Sequence, residues 1–478
     1  MLKIAGNKFK ALLLGIAAIG FLGGGINLVY ADTVVANQNI RGLSTFRDTN
    51  TGYIWLKLNN FFSQSVNQML VQANSAGFTL ATTSQVNGLL NGLPLTSSQW
   101  SSYAEVMGSA PNRALIWGAY NGLTVNSRWA YAYDGNTTWA YSDSGPFDDD
   151  GIPNAGLDSA DLNLWALMTD PFYVDTQFSL EQSASILRGV YSLQNALIKN
   201  NLNNDCTLFD NRGICVSLSG TQTDIAGGGF EGTNGTLTVA YRVNNNLRIG
   251  TYLDQRLNVN NVAGVHLNNG SPGFGGFGVW NQHEDGYGAQ IRVAAGYDDK
   301  DMTITRQVMY SSEAGTGKTN LTSYGASVVG SYAMLMPGDI TFSPYAGLRY
   351  TKVKAGAYAE SDSVADPLTY RALTKNETTA LIGAKWSTRI TDNAIAYASL
   401  GIEQDLKNNG GTYTATGVDG LTSIAFNPDI SRTRRTASIG SYYNLGDTQR
   451  IGANLAWSEQ AFTSIDATSL MVTYTAGF

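Results

Sequence analysis

The residues best able to do chemistry form an acidic stretch in the first half of the chain. Carboxylate and amide oxygens surround a glycine in the sequence DDDGIPN, residues 148–154, and two more carboxylates follow shortly after. Oxygen ligands of this kind bind hard cations such as calcium. We therefore predict a calcium site, with a solvated acidic loop as the alternative, and no other cofactor. The predicted ligands are Asp148, Asp150, Asn154, Asp158 and Asp161.

Other arrangements for catalysis are scarce. The only histidines, His266 and His283, fall in predicted loops of the second half, so the first half has no Ser-His-Asp triad and no His-rich metal site. Paired carboxylates can hydrolyse a substrate without histidine, and Asp134, Asp143 and Asp148 are the candidates. We expect no enzyme, and a hydrolase in the first half is the alternative.

The first 31 residues predict a secretory signal peptide. A basic start precedes an apolar stretch over 11–22, and small residues lead to cleavage after Ala31. The two cysteines of an exported chain, Cys206 and Cys215, are expected to form a disulfide. Two free thiols or an interchain link are the alternatives.

The overall composition is typical of many strands and turns. The chain has 478 residues with 53 Gly, only 14% charged residues and a net charge of −7. This balance excludes a coiled coil and a basic protein that binds nucleic acid, so we expect no nucleic-acid partner.

The last residues of the chain alternate in character. Successive side chains of a strand point to opposite faces, and here one face is apolar while the other carries threonines and a glycine. A strand of this kind suits a surface that meets lipid. The apolar face consists of Leu470, Val472, Tyr474 and Phe478.

The same alternation recurs throughout residues 205–478. Five tight connections, such as 244–246 and 445–447, alternate with longer ones. Treating 286–310 as one long strand gives an even count, as barrels of this type require. We predict a mainly β fold with a 12-stranded antiparallel transmembrane β-barrel. The longer connections are expected at 225–233, 257–271, 311–320, 355–376, 407–433 and 459–464.

A helical pattern precedes this array. Residues 179–204 are predicted to be a linker helix that threads the barrel lumen, since the segment is slender and largely uncharged. A helix packed on the first domain is the alternative. The apolar stripe of the helix consists of Leu180, Ala184, Leu187, Tyr191 and Ile198.

Residues 32–178 predict a small α+β domain that would lie outside the cell. A hairpin turn at 50–52 leads into a short strand, and a helix over 83–92 is expected to begin with Thr83 or Ser84 as its cap. The aromatic-rich part, 93–178, is expected to build a core, with a surface for sugar or protein as the alternative. Its tryptophans are Trp100, Trp117, Trp129, Trp139 and Trp165.

Two resemblances concern this first domain. It resembles an exported domain of bacterial proteins with a PEP-CTERM sorting tail, although Gln85 replaces an acidic residue and the tail is absent; no chemistry is implied. Residues 150–154 resemble a thrombospondin type 3 calcium repeat. The positions that match the first family are Asp48, Thr51, Gly52, Trp55, Leu56, Leu58, Gly77, Phe78, Ala81, Thr82 and Val86.

Residues 205–478 resemble the translocator barrel of autotransporters (type V secretion). The signal peptide, the N-terminal domain, the helix, the PYAGL sequence at 344–348 and the strand that ends at Phe478 carry the resemblance. It implies outer-membrane lipid as a partner and the barrel-assembly machinery as the reader of the last strand, although Ala476 stands where an aromatic is common. Asn200 and Asn201 resemble a site at which some members release the passenger by asparagine cyclisation; an Asn-rich helix end is the alternative.

These observations together predict an outer-membrane autotransporter. Its barrel would display the first domain, the passenger, on the cell surface for binding an unidentified protein or glycan. The alternatives are a displayed hydrolase and a plain pore with a periplasmic N-terminal domain.

Overall fold

The computed structural model describes most of the chain after residue 33. The described residues are 34–61, 64, 66–93, 97–109, 116–120, 128–132, 139–142, 163–169, 172–260, 264–268, 271–361 and 363–478. The predicted signal peptide lies outside them. The chain divides into two compact units, Met1–Pro171 and Phe172–Phe478.

The first unit is an α+β domain. Its described helices are α1 (Val66–Ser75), α2 (Thr83–Gly92) and α3 (Ser97–Met107). Its strands are β1 (Val34–Ile40), β2 (Leu43–Asp48), β3 (Ile54–Leu56), β4 (Thr79–Leu80), β5 (Ile116–Tyr120), β6 (Arg128–Ala132), β7 (Trp139–Ser142), β8 (Asn163–Leu164) and β9 (Ala166–Met168). They form an antiparallel sheet in the order β1-β2-β3-β9-β4 and a second sheet in the order β7-β6-β5-β8.

An aromatic cluster forms the centre of the first unit. Trp55 packs edge-on against Trp165 with ring centroids 6.1 Å apart, and Phe46 stacks on Trp55 at 6.3 Å. All three side chains are almost fully buried, so Trp165 belongs to a core. Burial of rings of this size dominates the stability of a small domain.

Helix α2 spans the predicted residues 83–92, but its N-cap is Thr82, one residue before the predicted caps. Thr82 accepts a hydrogen bond from the Gln85 amide, and the Gln85 side chain accepts one from the Thr82 amide at 2.9 Å. This capping box satisfies two N–H groups that the first turn leaves without partners. The predicted caps, Thr83 and Ser84, are therefore wrong.

The second unit begins with a long helix, α4 (Phe172–Asn201). The helix begins at Phe172 rather than at Ser179. In chain order the strands that follow are β10 (Ile214–Ala226), β11 (Phe230–Asn244), β12 (Leu247–Asn260), β13 (Val265–Leu267), β14 (Gly273–Asn281), β15 (Gly288–Thr305), β16 (Thr316–Met336), β17 (Ile340–Ala355), β18 (Tyr358–Ala359), β19 (Thr369–Tyr370), β20 (Leu373–Thr391), β21 (Ala394–Asn409), β22 (Thr412–Tyr413), β23 (Ala415–Thr416), β24 (Ile424–Ala425), β25 (Thr433–Asn444), β26 (Gln449–Glu459) and β27 (Asp466–Gly477).

Twelve of these strands close into an antiparallel barrel, as predicted. Each strand pairs with its neighbour in the chain, and β10 closes the circle on β27 from Cys215–Gly477 to Ala226–Asp466. The six short strands, β13, β18, β19, β22, β23 and β24, lie in the connections. The region 286–310 forms a single barrel strand as predicted, β15, which ends at Thr305 rather than at Tyr310.

Five tight connections lie at the end where β10 begins and β27 finishes, which we call the turn end. Longer connections lie at the opposite end, the loop end. One predicted long connection, 225–233, is wrong: β10 and β11 are joined by residues 227–229 alone. Gly227 and Gly229 adopt positive φ (+77° and +70°), which lets the chain reverse in so few residues.

The outer face of the barrel is apolar on strand after strand. Leu218, Val239, Ile382 and Leu400 are 38–63% exposed, and polar residues alternate with such positions on the inner face. Tyrosine and tryptophan rings lie near both ends, as interfacial girdles require. Among the described residues, no helix combines the length and the apolar character needed to cross a bilayer.

Candidate functional site: the lumen and its helix

Helix α4 is enclosed by the barrel. The side chains of the predicted apolar stripe, Leu180, Ala184, Leu187, Tyr191 and Ile198, are all buried. Most other positions of the helix are small or polar, such as Ser183 and Asn195, so the helix is slender enough for the lumen.

Much of the helix, from Leu180 to Leu197, contributes to an apolar core. Tyr191 stands at its centre: its hydroxyl donates to the Leu373 carbonyl at 2.8 Å and accepts from the Ala355 amide at 3.0 Å. The ring of Tyr191 packs edge-on against Phe426, with centroids 4.9 Å apart. Barrel strands and a loop-end connection therefore both contact the helix at Tyr191.

The turn-end half of the helix meets a buried charge network on β17, β20, β21 and β25. Lys199 Nζ lies 3.1 Å from Glu403, which also accepts from Arg349 at 2.5 Å. Arg434 lies 3.6 Å from the same Glu403 carboxylate. A single carboxylate therefore joins the helix to two wall cations.

Two further pairs complete this network. Arg434 binds both oxygens of Asp405 at 2.6 and 2.7 Å, and Lys375 binds Glu377 at 2.8 Å. Asn195 of the helix donates to Glu377 at 3.0 Å. Buried charges are tolerated when they are paired in this way.

Gln194 fixes the opposite side of the helix. Its amide nitrogen donates to Ser323 at 2.9 Å and to Asp298, and its oxygen accepts from Arg256 at 2.7 Å. Contacts to strands on both sides of the lumen determine the rotation and depth of the helix.

The last turn of the helix reaches the pair of strands that closes the barrel. The side-chain amide of Asn200 donates to Ser469 Oγ of β27 at 3.0 Å. The same Ser469 Oγ lies 2.9 Å from Thr223 Oγ1 of β10. Asn201, the other residue of the predicted release site, is buried at the helix end.

The segment after the helix is held at the turn end. Arg248 binds Asp205 through two hydrogen bonds of 3.0 and 2.7 Å, and Arg292 lies 3.5 Å from the same carboxylate. Cys206 and Cys215 form a disulfide with their Cα atoms 5.8 Å apart. This disulfide joins the segment to the start of β10.

A polar collar surrounds the start of the helix at the loop end. Asp175 accepts from the amide and the hydroxyl of Ser311 at 3.1 and 2.6 Å. Arg306 binds both oxygens of Glu360 at 2.8 and 3.1 Å. The collar ties the helix to the loop that joins β15 and β16.

Three loop tyrosines pack beside the collar. The Tyr358 and Tyr370 rings stack at 4.4 Å, and the Tyr358 and Tyr413 hydroxyls lie 3.1 Å apart. Burial raises the pKa of Tyr370 well above its ordinary value, and the nearby Tyr413 and Glu360 raise it further. The loops therefore form a packed cap at the loop end.

Several predicted site residues remain untested. The calcium ligands Asp148, Asp150, Asn154, Asp158 and Asp161, and the carboxylates Asp134 and Asp143, lie outside the described residues. Within the residues that are described, no group of three or more His, Cys, Asp or Glu could hold a metal ion. The side chains of the predicted assembly signal, Leu470, Val472, Tyr474 and Phe478, are 43–55% exposed on the outer face.

The positions that match the PEP-CTERM-type domain have structural roles. Asp48 accepts from the Asn50 amide and the Thr51 hydroxyl, and Gly52 completes the turn at φ +76°. Trp55 and Leu58 are buried in the core.

The charge network was not predicted from the sequence. The sequence does contain a pattern that could have indicated it. Two strands carry charged residues two positions apart on their polar faces, Lys375 with Glu377 and Glu403 with Asp405. Charges on alternate positions of a barrel strand face the lumen. The pairing of these charges with Lys199 depends on the depth of the helix, which no local pattern specifies.

Comparison with known proteins locates the family match in the barrel. Residues 216–456 match the family model described as Autotransporter beta-domain. Outer membrane protein A of Rickettsia rickettsii is 28% identical over 194 residues, which cover 38% of this chain and 8% of that protein. The Neisserial autotransporter lipoprotein NalP of Neisseria meningitidis serogroup B is 33% identical over 114 residues, covering 23% and 10%.

A solved structure is similar as well. The translocator domain of the autotransporter NalP from Neisseria meningitidis has 19% sequence identity and a TM-score of 0.47, covering 61% of this chain and 97% of that chain. The chain spans a tenth or less of the length of the curated relatives it matches.

Proposed function

Because the chain belongs to the autotransporter β-domain family, and so resides in the outer membrane with its N-terminal unit at the cell surface, we propose that the barrel translocates this unit and displays it for binding. The observation that carries the proposal is the enclosed helix. Helix α4 runs from the loop-end collar at Asp175 to the closing strands at Asn200. The N-terminus of the helix therefore lies at the loop end, where the preceding unit would emerge.

Protease treatment of intact cells tests the direction of export. An epitope tag inserted before Val34 should be removed from intact cells, while a periplasmic marker stays protected. A tag that is cut only after the outer membrane is permeabilised would instead favour a plain pore with a periplasmic domain. The filled lumen speaks against an open pore, because apolar packing and paired charges occupy it.

A binding role for the displayed unit is the second part of the proposal. The described part of this unit is built around a packed aromatic core, and the acidic stretch 148–154 offers oxygen ligands for calcium. Intact cells should bind a protein or glycan in a calcium-dependent manner, and Asp148→Asn with Asp150→Asn should abolish the calcium effect. Hydrolysis of glycans or peptides by the same cells would favour the enzyme instead.

We also propose that the displayed unit stays attached. The side-chain amide nitrogen of Asn200 donates to Ser469. The backbone carbonyl of Asn200 accepts from the backbone N–H of Asn203 at 3.0 Å. Cyclisation requires that the side-chain nitrogen attack the Asn200 carbonyl carbon, so this nitrogen would have to leave Ser469. Mass spectrometry of outer membranes should find the two units in one chain; separate fragments that meet at Asn200 and Asn201 would contradict it.

The barrel-assembly machinery is the proposed partner of the last strand. Its outer face presents Leu470, Val472, Tyr474 and the final aromatic Phe478. Phe478→Ser should lower the amount of folded barrel in the outer membrane, whereas Thr473→Ser on the inner face should not. Equal amounts in both variants would contradict this role.

A further inference from the structure

Basic side chains line the turn-end half of the lumen. Arg248, Arg292, Lys385 and Arg450 occupy inward positions there, since their neighbours Ile249, Ile291, Trp386 and Ile451 are 37–49% exposed on the outer face. Among the described strand residues of this half, no inward position is Asp or Glu. The wall of the turn-end half is therefore cationic.

The loop-end half and the middle of the lumen differ in this respect. There the wall cations have carboxylate partners on the wall itself, such as Arg434 with Asp405 and Lys300 with Asp298 at 2.9 Å. Charge is balanced where the helix lies. The excess of cations is confined to the turn-end half.

Only part of this excess is neutralised in the folded chain. Asp205, in the segment after the helix, forms ion pairs with Arg248 and Arg292. Lys385 and Arg450 instead lie over aromatic rings: Lys385 Nζ is 4.8 Å from the centroid of Tyr397, and the Arg450 guanidinium is 4.1 Å from that of Tyr442.

The space beside Arg450 is open. Arg450, Tyr397 and Tyr442 line a cavity of about 150 Å³ together with threonines of β27. Before the helix and Asp205 take their places, the turn-end half presents these four cations, and Arg242 opposite Arg248, to whatever enters it.

The stretch that directly precedes the helix has the opposite charge. Residues 129–171 contain eight Asp and neither Lys nor Arg. A narrow channel lined by one sign of charge concentrates the opposite sign and speeds its entry. The acidic side chains at the turn-end rim, such as Glu284 and Asp339, are exposed to solvent, where salt screens them.

We propose that the cationic turn-end half of the lumen is a docking surface for the acidic stretch 129–171 during export. The stretch passes through the lumen as an extended chain. When the helix reaches its final depth, Asp205 replaces the stretch as the partner of Arg248 and Arg292. This proposal rests on the proposed function, because it requires the N-terminal unit to pass through the barrel.

The test measures how fast a tag before Val34 becomes accessible to protease on intact cells after a pulse of synthesis. Lys385→Gln with Arg450→Gln should slow its appearance by about two- to tenfold. The matched control is Lys352→Gln with Lys354→Gln, which removes the same charge from the outer face of β17. This control should export at the wild-type rate.

A second arm changes the passing chain rather than the barrel. Replacing Asp148, Asp149 and Asp150 by Asn should slow export through the wild-type barrel and reduce the effect of the lumen variant. Because this arm leaves the barrel intact, it applies even if the lumen variant does not fold. Wild-type rates in this arm, or equal rates in the lumen variant and its control, would overturn the inference. A tag that never reaches the surface in the wild type would instead overturn the proposed function.

Discussion

The buried charge network predicts unequal losses of stability when either of two cations, Arg434 or Lys199, is removed. Arg434 and Asp405 both have fully buried side chains and share two hydrogen bonds. Arg434→Met leaves Asp405 with hydrogen bonds from Thr379 and Asn408 and with no cation within ion-pair distance. Breaking a buried ion pair from one side costs about 3–5 kcal/mol of unfolding free energy.

Lys199→Met is the matched control, because it removes a buried cation of similar size. Its main partner, Glu403, keeps Arg349 at 2.5 Å and Arg434 at 3.6 Å. The loss is therefore one hydrogen bond to a charged group, about 1.5–3 kcal/mol. We expect Arg434→Met to exceed Lys199→Met by about 2 kcal/mol, roughly thirtyfold in the unfolding constant.

Guanidinium unfolding in detergent micelles, followed by tryptophan fluorescence, measures this difference. The double variant Arg434→Met with Asp405→Asn should cost less than the sum of the single variants, since neither charge is then left unpaired. An equal or larger cost for Lys199→Met, or strict additivity in the double variant, would refute the reasoning.

Three further predictions concern other contacts. Gly401→Ala places a methyl group against the Tyr345 hydroxyl and should cost about 1–3 kcal/mol; a barrel that melts in SDS at the wild-type temperature would contradict it. Asn200→Ala should cost about 1 kcal/mol in the same unfolding assay, and less when Ser469 is already replaced by Ala, because the hydroxyl that accepts the bond is then gone; an unchanged cost in that background would contradict it. Because burial raises the pKa of Tyr370, the packing of the loop cap should be stable below pH 10 and lost as the pH rises further. Absorbance at 295 nm should show this late ionisation, and Tyr370→Phe should remove its share of it.

The barrel could be predicted from the sequence because its rules are local and repeat. Alternation of apolar and polar residues determines which face of each strand points to lipid. The requirement for an even number of strands determines that 286–310 is one strand rather than two. The connection at 225–233 could not be predicted in the same way. Its glycines suit a long loop as well as a tight turn, and the pairing of Ile225 with Phe230 decides between them.

The candidate site was predictable only in outline. The apolar stripe through Leu187 and Tyr191 indicates a buried helix, and the uncharged surface indicates a narrow channel. The contacts of Lys199 and Gln194 depend on where the helix stops along the barrel axis, and that depth results from many partners at once. The early start of the helix at Phe172 likewise follows from its collar rather than from its own periodicity.

The disulfide between Cys206 and Cys215 has a mechanical consequence. Shear on the displayed unit by flowing liquid would pull on the helix, and the tension would pass to the segment behind it. The bridge carries that tension directly into the first strand and spares residues 207–214. Because the first strand is bonded to the last along its length, the load is shared by the whole cylinder, so the anchor yields only if the wall itself opens.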